Sequence, residues 1–333
     1  MATITEAFDP LSARGTATRL LVFLRNNASI VLIYSLIILV GGATAIMAQN
    51  FRTPSNLINI LRQSIVLGLI AIGQSVVVLT GGVDMSVAMS ARLVALTVAT
   101  LFAANSSNPA LILPLVIVGV VLGAAMGGLN GLMITRTHAN PFIITFGVAG
   151  ILRGLNLAIA TTPIRGIPDA YLKIYDAKIG IVPVNVLVMA GLWLLAWLFT
   201  TRTRPGRSVF AVGGSERVAR LSAIPVNRSL VMAYVFCGCC AALAGLFMLA
   251  RTGVGDPNTA EGMDFQSVVA VALGGISLYG GKGSLVGTLG GVLLLAMISN
   301  VFNLVQVNIY YQQLLLGLVV LLAVAIYKSP RSL

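Results

Sequence analysis

The sequence predicts an all-α integral membrane protein, a polytopic bundle of about ten transmembrane helices with glycine-rich broken segments. Two observations carry that prediction. Of 333 residues, 58% are apolar and only 9% are charged, where soluble domains carry roughly 25% charged residues. The apolar residues also fall in long unbroken runs. Lipid leaves only helices and closed barrels able to satisfy the backbone, and a barrel would show alternating segments of about ten residues. An ordinary cytosolic enzyme and a secreted domain are excluded. The formal charge is +12, but the basic residues are too scattered to mark a nucleic-acid partner.

Residues 1–27 are polar to mixed and predict a cytoplasmic N-terminal tail. The run 28–48 is too long for the apolar part of a cleaved signal peptide and predicts a retained first span. Further spans are predicted at 63–80, 87–104, 110–135, 141–161, 182–200, 229–250, 265–279, 285–303 and 311–327, each near the length that crosses a bilayer. The regions 80–90 and 274–284 read as glycine-rich breaks. The membrane domain is therefore 28–328, and 329–333 form a cytoplasmic C-terminal tail.

Charge placement supports this count. With both termini cytoplasmic, 13 of the 21 basic residues fall inside and 6 outside, with Arg92 and Arg153 within helices. Asp169, Asp176, Asp256, Glu261 and Asp264 fall outside. Trp193 and Trp197 read as lipid-interface anchors at the inner end of the sixth span. Arg153 reads as a side chain snorkelling to the outer interface.

Cys237, Cys239 and Cys240 lie within one apolar run with no His nearby, so they read as packing residues without a metal or a disulfide. His138 is the only histidine and reads as a loop residue. Gly123, Gly127 and Gly131 repeat every four residues, as do Gly287 and Gly291. Such spacing lets helix backbones approach closely. Asn130 in the same stretch can bridge helices or line a polar path, bridging being preferred.

Asp84 interrupts apolar sequence in Gly81-Gly82-Val83-Asp84-Met85-Ser86. An ionisable group at membrane depth is a functional-site hypothesis by default. It can cap the helix starting near Val87, pair with a base such as Arg92, touch a polar solute, or couple a proton. Residues 78–85 echo 271–278, aligning Gly81 and Gly82 with Gly274 and Gly275. Glycine-interrupted segments in matching positions point to a substrate path, which makes Gly81, Gly82, Asp84, Ser86, Asn130, Gly274 and Gly275 the path or gating candidates. The segment 274–284 fails as a phosphate loop, because Gly283 follows Lys282 where Ser or Thr is required. No cofactor and no nucleotide hydrolysis are expected on this chain.

The longest hydrophilic connection is 201–228. Within it, Ser215 suits an N-cap, Glu216 the positive end of a helix, and Pro225 its termination. Val218 and Leu221 share one face, and Arg217 and Arg220 another. The helix is too short to stand alone in water. It packs on its own bundle, on headgroups or on another protein.

The chain resembles the inner-membrane permeases of bacterial ABC importers for simple sugars, the ribose, xylose and arabinose permease family. The resemblance rests on Thr80-Gly81-Gly82-Val83-Asp84-Met85-Ser86-Val87, Gly128-Leu129-Asn130-Gly131, Asn140-Pro141-Phe142-Ile143-Ile144-Thr145, Val212-Gly213-Gly214-Ser215-Glu216, Ala219-Arg220-Leu221-Ser222 and Gly280-Gly281-Lys282-Gly283-Ser284. It implies a transport subunit in the bacterial inner membrane, paired with a second permease chain as homodimer or heterodimer. Cytoplasmic ABC ATPase subunits would dock below and a periplasmic sugar-binding protein above. Gly214, Ser215, Glu216, Arg217, Ala219, Arg220 and Leu221 would form the ATPase coupling element. Ala88, Ser215 and Ala223 depart from the residues common in the family, each a small-for-small change. The competing class is a self-sufficient secondary carrier or channel, against which the lack of buried acid–base chains argues.

Overall fold

The computed structural model describes residues 27–308, together with 310–312, 314–315 and 317–318. The predicted tails, apart from residue 27, and most of the predicted span 311–327 lie outside the described residues. Twelve α-helices and two short 3-10 turns run through residues 27–308, joined by short connections and one small hairpin. The α-helices are α1 (Ala28–Met47), α2 (Pro54–Leu79), α3 (Val87–Ala104), α4 (Ile112–Thr137), α5 (Pro141–Ile159), α6 (Asp169–Asp176), α7 (Val184–Arg202), α8 (Arg204–Gly214), α9 (Glu216–Leu221), α10 (Val226–Thr252), α11 (Met263–Leu273) and α12 (Leu285–Leu304). The hairpin pairs β1 (Lys178–Ile179) with β2 (Val182–Pro183). Eight helices are long and apolar enough to cross a membrane, among the described residues.

Two predicted spans change. The second starts at Pro54 rather than residue 63, because Thr53 caps it by accepting from the Asn56 N–H at 3.3 Å. Asn56, Asn59 and Arg62 had hidden this polar first third. The predicted span 265–279 is α11, which stops at Leu273. At 1.5 Å per residue it reaches only about 16 Å, half a bilayer.

Helix α2 is the core, buried from Ser64 to Leu79. A helix apolar all round belongs inside a bundle. Helix α10 lies against α2, α3 and α4. The glycine repeat explains how close the last contact is. A Cβ on Gly127 would sit 2.8 Å from the Tyr234 carbonyl carbon, one on Gly131 2.7 Å from the Val231 Cα, and one on Gly123 2.6 Å from the Ala242 Cβ. Gly287 and Gly291 bring α12 equally close to the backbone of Gly274 and Ala270. Helix α1 packs through Ile33 on Met297 and its neighbours, joined by Phe51 of the 3-10 turn Gln49–Arg52 that follows it, and the Tyr34 hydroxyl donates to the Val286 carbonyl at 3.1 Å.

Trp193 is not an interface anchor. It is buried, and its Nε1–H donates to the Leu285 carbonyl at 3.2 Å. Trp197 is half-buried. Cys237 and Cys240 are buried and Cys239 half-buried, all free thiols. His138 ends α4 in the left-handed conformation, exposed in the α4–α5 loop.

Candidate functional site

The site lies at the end of the bundle that carries the basic 201–228 segment. Here α2 and α11 stop in the same way. Gly81 has φ +85° and Gly275 φ +84°. The Gly82 N–H reaches back to the Val77 carbonyl at 3.3 Å, and the Ile276 N–H to the Val271 carbonyl at 3.2 Å. This is the Schellman closure, which needs a left-handed residue that glycine supplies without steric cost. The sequence echo is therefore real in the backbone but shifted by one residue. Gly81 corresponds to Gly275, and Thr80 to Gly274.

The two breaks touch. The Gly281 N–H donates to the Leu79 carbonyl at 2.9 Å. A Cβ on Gly280 would lie 2.6 Å from the Gly81 nitrogen, and one on Gly281 2.6 Å from the Gly214 Cα. The α8–α9 connection thus rests directly on both breaks.

Asp84, Ser86 and Asn130 come together inside. The Ser86 N–H and hydroxyl donate to Asp84 Oδ1 at 2.8 and 2.7 Å. The Asn130 amide lies 3.4 Å from both carboxylate oxygens and 2.8 Å from the Ser86 hydroxyl. The Gln74 amide, turned to suit both partners, donates to the Asp84 carbonyl and accepts from its N–H, each at 3.2 Å. From α5, Thr145 accepts from the Met85 N–H and donates to the Pro141 carbonyl. Asp84 is 2% exposed and Asn130 1%. Asp84 therefore closes an Asx turn leading into α3, and Asn130 ties α4 to it.

Asp84 does not pair with Arg92. Arg92 donates through Nε to the Thr259 carbonyl at 2.7 Å and faces Glu261 at 3.9 Å. Arg153 does not simply snorkel, since it forms an ion pair with Glu261 at 3.5 Å. Residues 253–262 read in the sequence as an outer loop. Their Gly253, Gly255, Pro257 and Gly262 were the available sign of an irregular inserted segment.

A cleft of about 440 Å³ opens beside the breaks, lined by Gly81, Gly82, His138, Gly213, Glu216 and Arg220 among others. Its far wall is α9. Ser215 caps that helix, accepting from the Val218 N–H at 3.3 Å. Glu216 and Arg220 pair at 2.6 Å one turn apart, and Arg220 also donates to Asn227 at 3.2 Å. Ala219 is buried against Val212 and Val226. Val218 and Leu221 point away, 59% and 80% exposed, and Gly214 and Arg217 are exposed as well. Among the described residues, no three His, Cys, Asp or Glu side chains gather as a metal would require.

Residues 56–324 match the family model described as branched-chain amino acid transport system / permease component. The chain is 35% identical over 288 residues to the ribose import permease protein of Escherichia coli (strain K12), covering 84% of this chain and 88% of that one. It is 36% identical over 291 residues to the ribose import permease protein of Bacillus subtilis (strain 168), covering 86% and 89%. It is 32% identical over 294 residues to the D-allose transport system permease protein of Escherichia coli (strain K12), covering 88% and 89%. No solved structure matches the chain. Motifs and matches spanning nearly the whole bundle agree, and the chain belongs to this family of transport-system permease components.

Proposed function

We propose that the chain is the membrane subunit of an ATP-driven importer for a monosaccharide of the pentose or hexose type, moving it from periplasm to cytoplasm by alternating access. It works in the bacterial inner membrane with both termini cytoplasmic. A second permease chain completes the pathway, a periplasmic binding protein delivers the sugar, and separate cytoplasmic ATPase subunits hydrolyse ATP. The relatives named above, ribose and D-allose permeases, support the substrate class.

The observation that carries the coupling role is the two-sided character of α9. Its outer side offers Val218 and Leu221 to a partner. Its inner side continues into Gly213 and Gly214, which rest on the glycine breaks of α2 and α11. A push on α9 thus reaches both breaks without an intermediate. Gly81, Gly82, Gly274 and Gly275 then act as gate residues, with Asp84, Ser86 and Asn130 fixing the gate's shape.

Leu221→Asp and Glu216→Lys test this. Burying Leu221 against a partner is worth about 1.5–3 kcal/mol, so Leu221→Asp should weaken ATPase association by about tenfold or more. Glu216→Lys breaks an exposed pair worth at most a few tenths of a kcal/mol to the helix. It should leave thermal stability unchanged while lowering sugar-stimulated ATP hydrolysis and uptake in proteoliposomes. Wild-type uptake and stimulation in both variants would remove α9 from the coupling role. Uptake by the chain alone under an ion gradient would overturn the ATP-driven reading.

A further inference from the structure

The segment 253–262, between α10 and α11, does not run over the surface. Gly255 pairs with Ile164 through two backbone hydrogen bonds of 2.8 and 2.9 Å. A Cβ on Gly255 would lie 2.5 Å from the Ala99 Cβ, so this backbone lies directly on α3. Ala260 is buried, and the Thr259 carbonyl accepts the 2.7 Å hydrogen bond from Arg92. Arg92 lies about 18 Å along α3 from its outer end at Ala104, by the 1.5 Å helical rise. Arg153 lies about 9 Å along α5 from its outer end at Ile159 by the same measure. In a hydrocarbon layer about 30 Å thick, the backbone positions of both arginines fall within the span of their helices, and the tip of 253–262 lies beside them. Non-helical backbone there is tolerated only where protein buries it or water reaches it.

Glu261 sits between the two arginines. Arg92 approaches at 3.9 Å from within and Arg153 at 3.5 Å from without. The side chains of Arg153 and Glu261 are 63% and 57% exposed. Charges exposed at this depth are costly against acyl chains, at about 2.5–3.5 kcal/mol each on insertion scales. That cost favours a water-lined surface for the pair. Arg92 is 3% exposed, and its Nη2 makes no hydrogen bond. A spare buried donor is therefore held behind the exposed pair.

We propose that Arg153 and Glu261 line the aqueous solute path and form a hydrogen-bonding subsite for a neutral polyhydroxylated solute, with Arg92 as the positioning residue that holds Glu261 and the 253–262 segment. This rests on the permease reading. A guanidinium offers in-plane N–H donors and a carboxylate offers acceptors. Adjacent hydroxyls of a sugar can use both, and the neutral pair neither traps nor repels an uncharged solute.

The test is labelling of single cysteines in the full chain in proteoliposomes with a membrane-impermeant methanethiosulfonate. The native thiols are buried or half-buried and set the baseline. Arg153→Cys and Glu261→Cys should react about tenfold or more faster than Ile38→Cys on the exposed apolar face of α1, because a reactive thiolate needs water. Equal slow rates would overturn the aqueous path. One of D-ribose, D-allose, D-galactose or D-fructose should slow labelling at Glu261→Cys. No protection by any of the four would overturn the subsite. Thr259→Cys should react faster when combined with Arg92→Met and at the parent rate with Arg92→Lys. No difference between those backgrounds would overturn the positioning role. Labelling needs neither ATP nor transport, so a chain that labels as expected but moves no sugar would sink the import reading separately.

Discussion

Gly127→Val is expected to be the most destructive single substitution in the bundle. The added Cβ would meet the Tyr234 carbonyl carbon at 2.8 Å and the Val235 Cα at 3.0 Å. Those are backbone atoms of α10, and no rotamer change moves them. Overpacking that side chains can relieve costs about 1–3 kcal/mol, and this site has no such relief. Helices α4 and α10 must separate instead, which unseats Tyr234 and with it the roof of Val83 and Gly82. The variant should accumulate poorly and melt well below wild type in detergent. Gly150→Ala on α5 is the control. Its Cβ would meet nothing within 4 Å, so it should hold or gain stability through the helix propensity of alanine, about 1 kcal/mol at most. Equal melting of the two variants would show that the α4–α10 crossing is not what the glycine repeat serves.

That repeat was legible in the sequence because close helix packing leaves a direct mark, a small residue every fourth position. The long apolar runs, the cap at Ser215 and the loop placement of His138 were legible for similar local reasons. Two of the errors share a cause: each concerns a polar residue whose partner is remote in sequence. Trp193 looked like a membrane anchor because nothing nearby in the chain shows that Leu285 offers it a carbonyl. Arg92 looked like a partner for Asp84, eight positions away on the same strand of sequence, yet the chain folds 253–262 back to claim it. The apolar run 265–279 looked long enough to span because its irregular break, Gly274 onward, is itself apolar. The glycine breaks at Gly81 and Gly275 were legible as breaks, but their alignment was off by one, since identity of letters weighed Gly-Gly more than the left-handed position weighs a single glycine.

Asp84 separates two kinds of site, and a pair of substitutions decides between them. Its carboxylate accepts from the Ser86 N–H, the Ser86 hydroxyl and the Asn130 amide in a pocket without water access. Asp84→Ala strands all of these donors, at about 1–3 kcal/mol for each left unsatisfied. It should lower the melting temperature and abolish uptake together. Asp84→Asn keeps one oxygen for Ser86 and gains an N–H. The Asn130 Oδ1 is buried and has no partner, so the new amide has an acceptor waiting once the pair reorients. If Asp84 is a turn-forming node, Asp84→Asn should melt near wild type and retain most uptake. If the charge itself meets a solute or carries a proton, Asp84→Asn should fold normally yet fail in transport as completely as Asp84→Ala. The geometry favours the first outcome, because the carboxylate is directed at the start of α3, at Asn130 on α4 and at the Cys237 thiol on α10, and under the proposed gating role a break that keeps its shape needs to be pinned more than it needs a charge.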